Sequence, residues 1–262
     1  MTVYIIKRIL QGLPTIIGAT LVTFLLTYAT GANPCLRSER STARGVELCR
    51  QALGLDRPWY IQVGTFYGNL LQGDLGVSLA NRQPVSAQIA DRIGQSARLA
   101  LVAFVFAVFT GVIGGVVTAL RRNTLVDYFG LVTSLLGVSM PAFLLGLVLQ
   151  YFIGYKLRWL PISGWKPGPD AWRYMILPAI VLAAGPIALL TRLTRSAMLD
   201  VLSQDYVRTA RAKGLTGRIV VYKHALRNAM IPVVTVTAAS LAVLLEGSFV
   251  VEFLFSWPGL GK

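Results

Sequence analysis

Five apolar stretches, each long enough or nearly long enough to cross a lipid bilayer, leave this chain of 262 residues few folds to choose from. A bilayer core about 30 Å thick needs roughly 20 apolar residues in a helix. Within lipid every backbone N–H and C=O must be satisfied internally, which restricts spanning segments to helices and closed barrels. The first stretch runs from about Ile9 to Thr30, after Lys7 and Arg8. The next two occupy residues 99–120 and 128–153, the latter with Pro141 as an expected kink. The fourth, residues 175–191, is short and carries Pro178, Gly185 and Pro186; the fifth covers 229–250. The predicted fold is an all-α, polytopic transmembrane helical bundle.

Composition excludes the main competitors. Only 14% of residues are charged and 55% are hydrophobic, against about 25% charged in an ordinary soluble domain. Mean hydropathy is +0.62. The net charge of +14 would suit nucleic-acid binding only on a soluble body with a basic face. Here the cations fall between apolar runs, where they set membrane topology. The apolar run after Lys7 and Arg8 exceeds the 7–15 residues typical of a cleavable signal, so a retained anchor is expected.

Lys and Arg in short loops orient the spans. With a cytoplasmic N-terminus, Lys7, Arg8, Arg121, Arg122 and the basic segment 192–228 lie inside. The opposite side receives residues 31–95 and the loop between Lys156 and Arg173, whose four cations and one acid conflict mildly with the rule. The expected organisation is an N-terminal transmembrane helix (1–30), an extracytoplasmic segment with short helices (31–95), and a transmembrane domain (96–262) with a cytoplasmic loop at 192–228. In the external segment Gly54–Pro58 reads as a turn and Trp59–Leu71 as an amphipathic interfacial helix.

Several residues allow two readings. Cys35 and Cys49, both external, are a disulfide or two unpaired thiols in a variable loop. Gly111 and Gly115 form a small-xxx-small pair, allowing close helix contact or serving as ordinary membrane glycines. Glu246 lies inside the fifth span, where a carboxylate marks the translocation path or a structural ion pair. His224, the only histidine, is read as a packing or capping residue. No Gly-x-x-x-x-Gly-Lys-Ser/Thr motif occurs, so ATP hydrolysis is not expected in this chain.

The loop 192–228 is the most informative. Ser203 and Asp205 suit the start of a short helix, Arg211 and Lys213 its last turn, and Gly214 its left-handed stop. A second helix opens at Thr216 or Gly217 and runs into the fifth span. Two short helices broken at a glycine make an elbow suited to docking a soluble partner. Binding of anionic lipid would explain the charge, but not the Ala-Arg-Ala-Lys-Gly pattern.

Asp205–Leu215, His224–Ala229 and Ile231-Pro232 resemble the cytoplasmic loop of permeases of bacterial ATP-binding-cassette (ABC) importers, in their dipeptide, oligopeptide and nickel class. The wider family shows Glu-Ala-Ala-xxx-Gly here; Arg208, Thr209 and Ala210 stand at the first three positions, as in the peptide class. Leu226-Arg227 replaces the wider family's Leu-Pro. Gly54–Pro58, Gly73–Ser78 and Phe255–Gly261 are similar to the same class, so the resemblance covers essentially the whole chain.

The resemblance implies a non-catalytic permease of the bacterial inner membrane that moves di- or oligopeptides inward. Nickel, glutathione or another small solute is the alternative cargo; a passive channel or scaffold without ATPase coupling is the alternative class. It implies a second homologous permease, two cytoplasmic ATPases that bind ATP and Mg, and an external substrate-binding protein. This chain itself holds no cofactor or metal. Arg208, Thr209, Ala210, Arg211, Ala212, Lys213, Gly214 and Leu215 would contact the ATPase. Glu252, before the Trp-Pro-Gly turn, would be a gate or loop-fixing residue. Permeases of this class continue past Trp-Pro-Gly-Leu-Gly, so a sixth span is expected beyond Lys262.

Overall fold

A computed structural model describes residues 2–29, 35, 43–52, 54–78, 81 and 83–262. It divides into two compact units, Met1–Ile89 and Ala90–Lys262. Among the described residues the secondary structure is helical, apart from one isolated bridge between Val77 and Pro84. Among the described residues four helices are long and apolar enough to cross a membrane, or five if a bent pair counts as one span.

In the first unit, α1 (Thr2–Ala29) meets α3 (Trp59–Leu71) through Tyr67, whose hydroxyl bonds the Thr20 hydroxyl and donates to the Ile17 carbonyl. Between them lies α2 (Ala43–Ala52), tied back by a Cys35–Cys49 disulfide with Cα atoms 5.9 Å apart. The turn 54–58 is braced by Gln62, which donates to the Arg57 carbonyl at 2.7 Å. Before α4 (Val85–Leu120), the Ser78 N–H donates to the Gln83 carbonyl at 2.9 Å and the Val85 N–H to the Gly76 carbonyl at 3.0 Å.

The second unit is a bundle. After α4 come α5 (Leu125–Ser139) and α6 (Ala142–Leu149), which continues as a π-helical stretch Gln150–Lys156. Then follow α7 (Ala171–Leu202), α8 (Asp205–Ala212), α9 (Gly217–Ile219), a π-helical stretch Val220–Ala225, and α10 (Leu226–Leu254). The last three pieces form one rod, Gly217–Leu254. Its core joins Leu99, Ala103 and Ala107 of α4 to Leu177 and Ala183 of α7 and Leu244 and Val251 of α10. Glycines set the α4–α7 spacing: a Cβ on Gly111 would lie 2.7 Å from the Leu190 Cβ, and one on Gly115 would lie 2.5 Å from the Thr194 Cβ. The small-xxx-small pair is therefore a helix contact.

Two details differ from the sequence expectations. The third span is more than kinked at Pro141: it is broken there, its two halves bent by 109°. Pro141 has no N–H to continue α5, and Met140 before it takes extended geometry (φ −86°, ψ 120°). The fourth span does not end at Thr191. Its helix continues eleven residues to Leu202, because Ala197 and Met198 bury against Val116 and Ala119 of α4 and Arg195 finds a carboxylate. The segment 192–228 thus opens on the last turns of this helix.

Candidate functional site

The elbow forms at one end of the bundle. Helix α8 is strongly two-faced: Val207 and Ala210, three residues apart, are buried against Val220, Val201 and Leu202. Arg208, Thr209, Arg211, Ala212, Lys213, Gly214 and Leu215 are exposed, so seven of the eight expected contact residues are presented outward while Ala210 anchors. Gly214 has φ +76°, its N–H bonds Arg211 O at 2.9 Å, and the Leu215 N–H reaches Ala210 O at 3.4 Å. This pairing closes two carbonyls of the last turn and needs a residue content in left-handed geometry. The cap at the other end is not Ser203, as the sequence suggested. Ser203 donates to the Asp200 carbonyl and ends α7, while extended Gln204 (φ −71°, ψ 150°) begins α8. Asn228 of α10 donates to the Tyr206 hydroxyl at 2.8 Å, a further tie between elbow and rod.

Behind the elbow stands a contact that the sequence did not reveal. Arg195 donates from Nε to Asp127 Oδ1 at 2.6 Å and from its terminal nitrogen to Oδ2 at 2.7 Å. Oδ2 also accepts the Asn123 N–H at 3.0 Å, holding that residue at φ +62°. Asp127 is 1% exposed. Two parallel N–H···O bonds orient both side chains, as a lysine could not. They fasten the start of α5 to α7 about two turns before α7 ends.

At the other end of the bundle, residues 255–261 make a knot. The Trp257 indole donates to the Gln95 carbonyl (3.1 Å) and meets Trp165 edge-on at 4.6 Å between centroids. Leu260 N–H donates to Ser96 Oγ (2.9 Å), Gly261 N–H to Glu252 Oε2 (2.7 Å), and Gly164 N–H to the Phe255 carbonyl (2.7 Å). Glu252 is fully buried, and its other oxygen finds no donor. A side chain on Gly259 would overlap both the Glu252 carboxylate and the Ser96 hydroxyl, which is why glycine stands there. Glu252 therefore holds the loop through the Gly261 N–H. Glu246 is exposed on α10 with no ion-pair partner among the described residues, and His224 is half-buried in the π-helical stretch.

Between the two ends lies a cavity of about 490 Å³, bounded by the α5–α6 break, by Gly185-Pro186 of α7 and by Gly247 of α10. Glu246 adjoins it in sequence but is not part of its wall. Among the described residues no group of three or more His, Cys, Asp or Glu is placed to hold a metal.

The elbow, the broken helices and the knot all fall inside one recognisable region. A family model described as the binding-protein-dependent transport system inner membrane component matches residues 111–262. The glutathione transport system permease protein GsiC of Escherichia coli O6:H1 is 42% identical over 261 residues, 99% of this chain and 84% of that protein. GsiC of Escherichia coli strain K12 and of Salmonella paratyphi A are each 41% identical with the same coverage. The chain belongs to this family of ABC importer permeases. As a permease it is a multi-pass membrane protein that transports rather than catalyses, embedded in a complex with other subunits. The matched region of this permease begins within α4 and contains α5 to α10, so the elbow and the cavity lie in the shared part. Helices α1 to α3 precede it.

Proposed function

We propose that this permease moves short peptides inward across the bacterial cytoplasmic membrane, driven by ATPase subunits that seat on α8 and the Gly214 turn. Glutathione, itself a tripeptide, is included in that substrate class by the likeness to GsiC. The N-terminus and the elbow face the cytoplasm, in keeping with Lys7, Arg8, Arg121 and Arg122, and the disulfide-bearing segment faces the oxidising outside. A second permease completes the path, an external binding protein delivers the peptide, and ATP with Mg is held by the ATPases.

One observation carries the reading. Helix α8 has an apolar side fixed to the bundle and a polar side of Arg208, Arg211 and Lys213 with nothing upon it among the described residues beyond the weak Arg208–Asp205 contact. A rigid, two-faced element of this kind can be pushed by a soluble partner and pass the displacement to α7 and to the rod Gly217–Leu254. At the far end, Glu252 acts as a loop-fixing residue. Glu246, exposed on α10 outside the cavity wall, is assigned to the part of the path that the second permease completes.

The test is transport per ATP in the reconstituted complex. Gly214→Val and Arg211→Glu are expected to keep membrane insertion and lower peptide uptake at least tenfold while ATP hydrolysis persists or the ATPase is released. Wild-type uptake by both variants would overturn the docking role.

A further inference from the structure

We propose that Arg192 binds the carboxylate of the transported peptide on the wall of the path; this rests on the peptide-importer reading above. The cavity at the α5–α6 break is lined by apolar side chains and a single charged one, Arg192. Its volume of about 490 Å³ falls within the range of roughly 300–1,000 Å³ for small-molecule sites. A guanidinium turned into an apolar cavity is costly unless it meets a partner, water or a ligand. Arg192 is exposed and has no carboxylate partner among the described residues, whereas Arg195, one turn further along α7, is engaged by Asp127 on both oxygens.

The same wall offers acceptors. Pro141 and Pro186 have no N–H, so the carbonyls of Gly137 and Leu182, four residues before each, lose the donors an unbroken helix would supply. Both Gly137 and Leu182 line the cavity. One planar cation and two freed carbonyls complement a peptide's two kinds of polar group: Arg192 takes the carboxylate bidentately, and the carbonyls take amide or ammonium N–H groups. The apolar remainder, including Met140, Leu145 and Leu189, tolerates varied side chains. Setting topology would require only that Arg192 stand near a helix end, not that it turn into this cavity.

The experiment uses the complete transporter, with its partner permease, ATPases and binding protein, in proteoliposomes. ATP-driven uptake of tri-alanine and of tri-alanine C-terminal amide is measured for wild type, Arg192→Gln and Arg192→Lys, with ATP hydrolysis as the assembly control. The free acid is expected to lose about tenfold or more in uptake with Arg192→Gln, and the amide to change less than twofold. The ratio of acid to amide uptake then collapses, and Arg192→Lys restores part of it. Equal losses for both peptides would mean that Arg192 pairs with another subunit or shapes the gate, and would overturn the proposal. So would an unchanged ratio. Failure of the wild type to take up either peptide, seen before any variant is compared, would remove the peptide reading and this site with it.

Discussion

The rod Gly217–Leu254 is held at its two ends by different means. At one end, α8 rests on a patch of three small buried residues, Val207, Ala210 and Val220, and a single Asn228–Tyr206 bond, with its charged side open. At the other, Glu252, Phe255 and Trp257 are buried and meet Gln95, Ser96, Gly164 and Trp165 in indole, hydroxyl, carboxylate and backbone bonds. The first arrangement permits a small rigid piece to be displaced by a partner. The second resists any change in the spacing of α4, α10 and the loop before α7. A transmitting end and a fixed end on one rod are what a lever requires.

Damage to the knot should cost the most stability. Trp257→Ala removes a fully buried indole and is expected to destabilise by about 3–5 kcal/mol, read as a lowered thermal midpoint of the purified complex. Protein that survives should keep its uptake per ATP, which would sharpen the division between the ends; lost coupling at unchanged stability would break it. Asp127→Ala, which leaves Arg195 largely buried and unpaired, should cost a comparable amount, about 3–5 kcal/mol. The double variant Asp127→Ala with Arg195→Met should recover much of that loss, because no stranded charge remains. A double variant as unstable as the sum of the singles would show that the pair is not the source.

At the elbow the order of effects reverses. Gly214→Val forces a branched side chain into φ +76°, worth about 1–2 kcal/mol locally, and the stability change should be small beside the loss of coupling. Arg208→Gln should leave the thermal midpoint unaltered, since its contact with Asp205 is 3.5 Å long and solvent-exposed. Its effect should appear instead as weaker retention of the ATPases during purification at raised salt.

Much of this was legible in the residues. Apolar length located the spans, and Ala-Arg-Ala-Lys-Gly marked a helix with a left-handed stop because few residues tolerate that backbone. Pro141 announced an interruption, although not a turn through 109°, since the angle is decided by what the second half packs against. The Asp127–Arg195 pair escaped notice because its members lie 68 residues apart. Each alone looks like an ordinary charge near the end of a span. For the same reason the fourth apolar stretch reads only as far as Thr191: Arg192 and Arg195 taken alone suggest water, whereas the paired Arg195 permits the helix to continue. Arg192 itself gained meaning only when the bundle turned it into a cavity beside two prolines.

Cross-linking tests most directly whether the ATPase sits on the open side of α8. A photoreactive benzoyl-phenylalanine placed at Arg211 of the assembled transporter is compared with one at Arg158, beyond the α6 end of the bundle. An ATPase-subunit adduct is expected from position 211 and none from position 158. An ATPase adduct from position 158, or from neither position in a complex that still hydrolyses ATP and imports peptide, would contradict that placement.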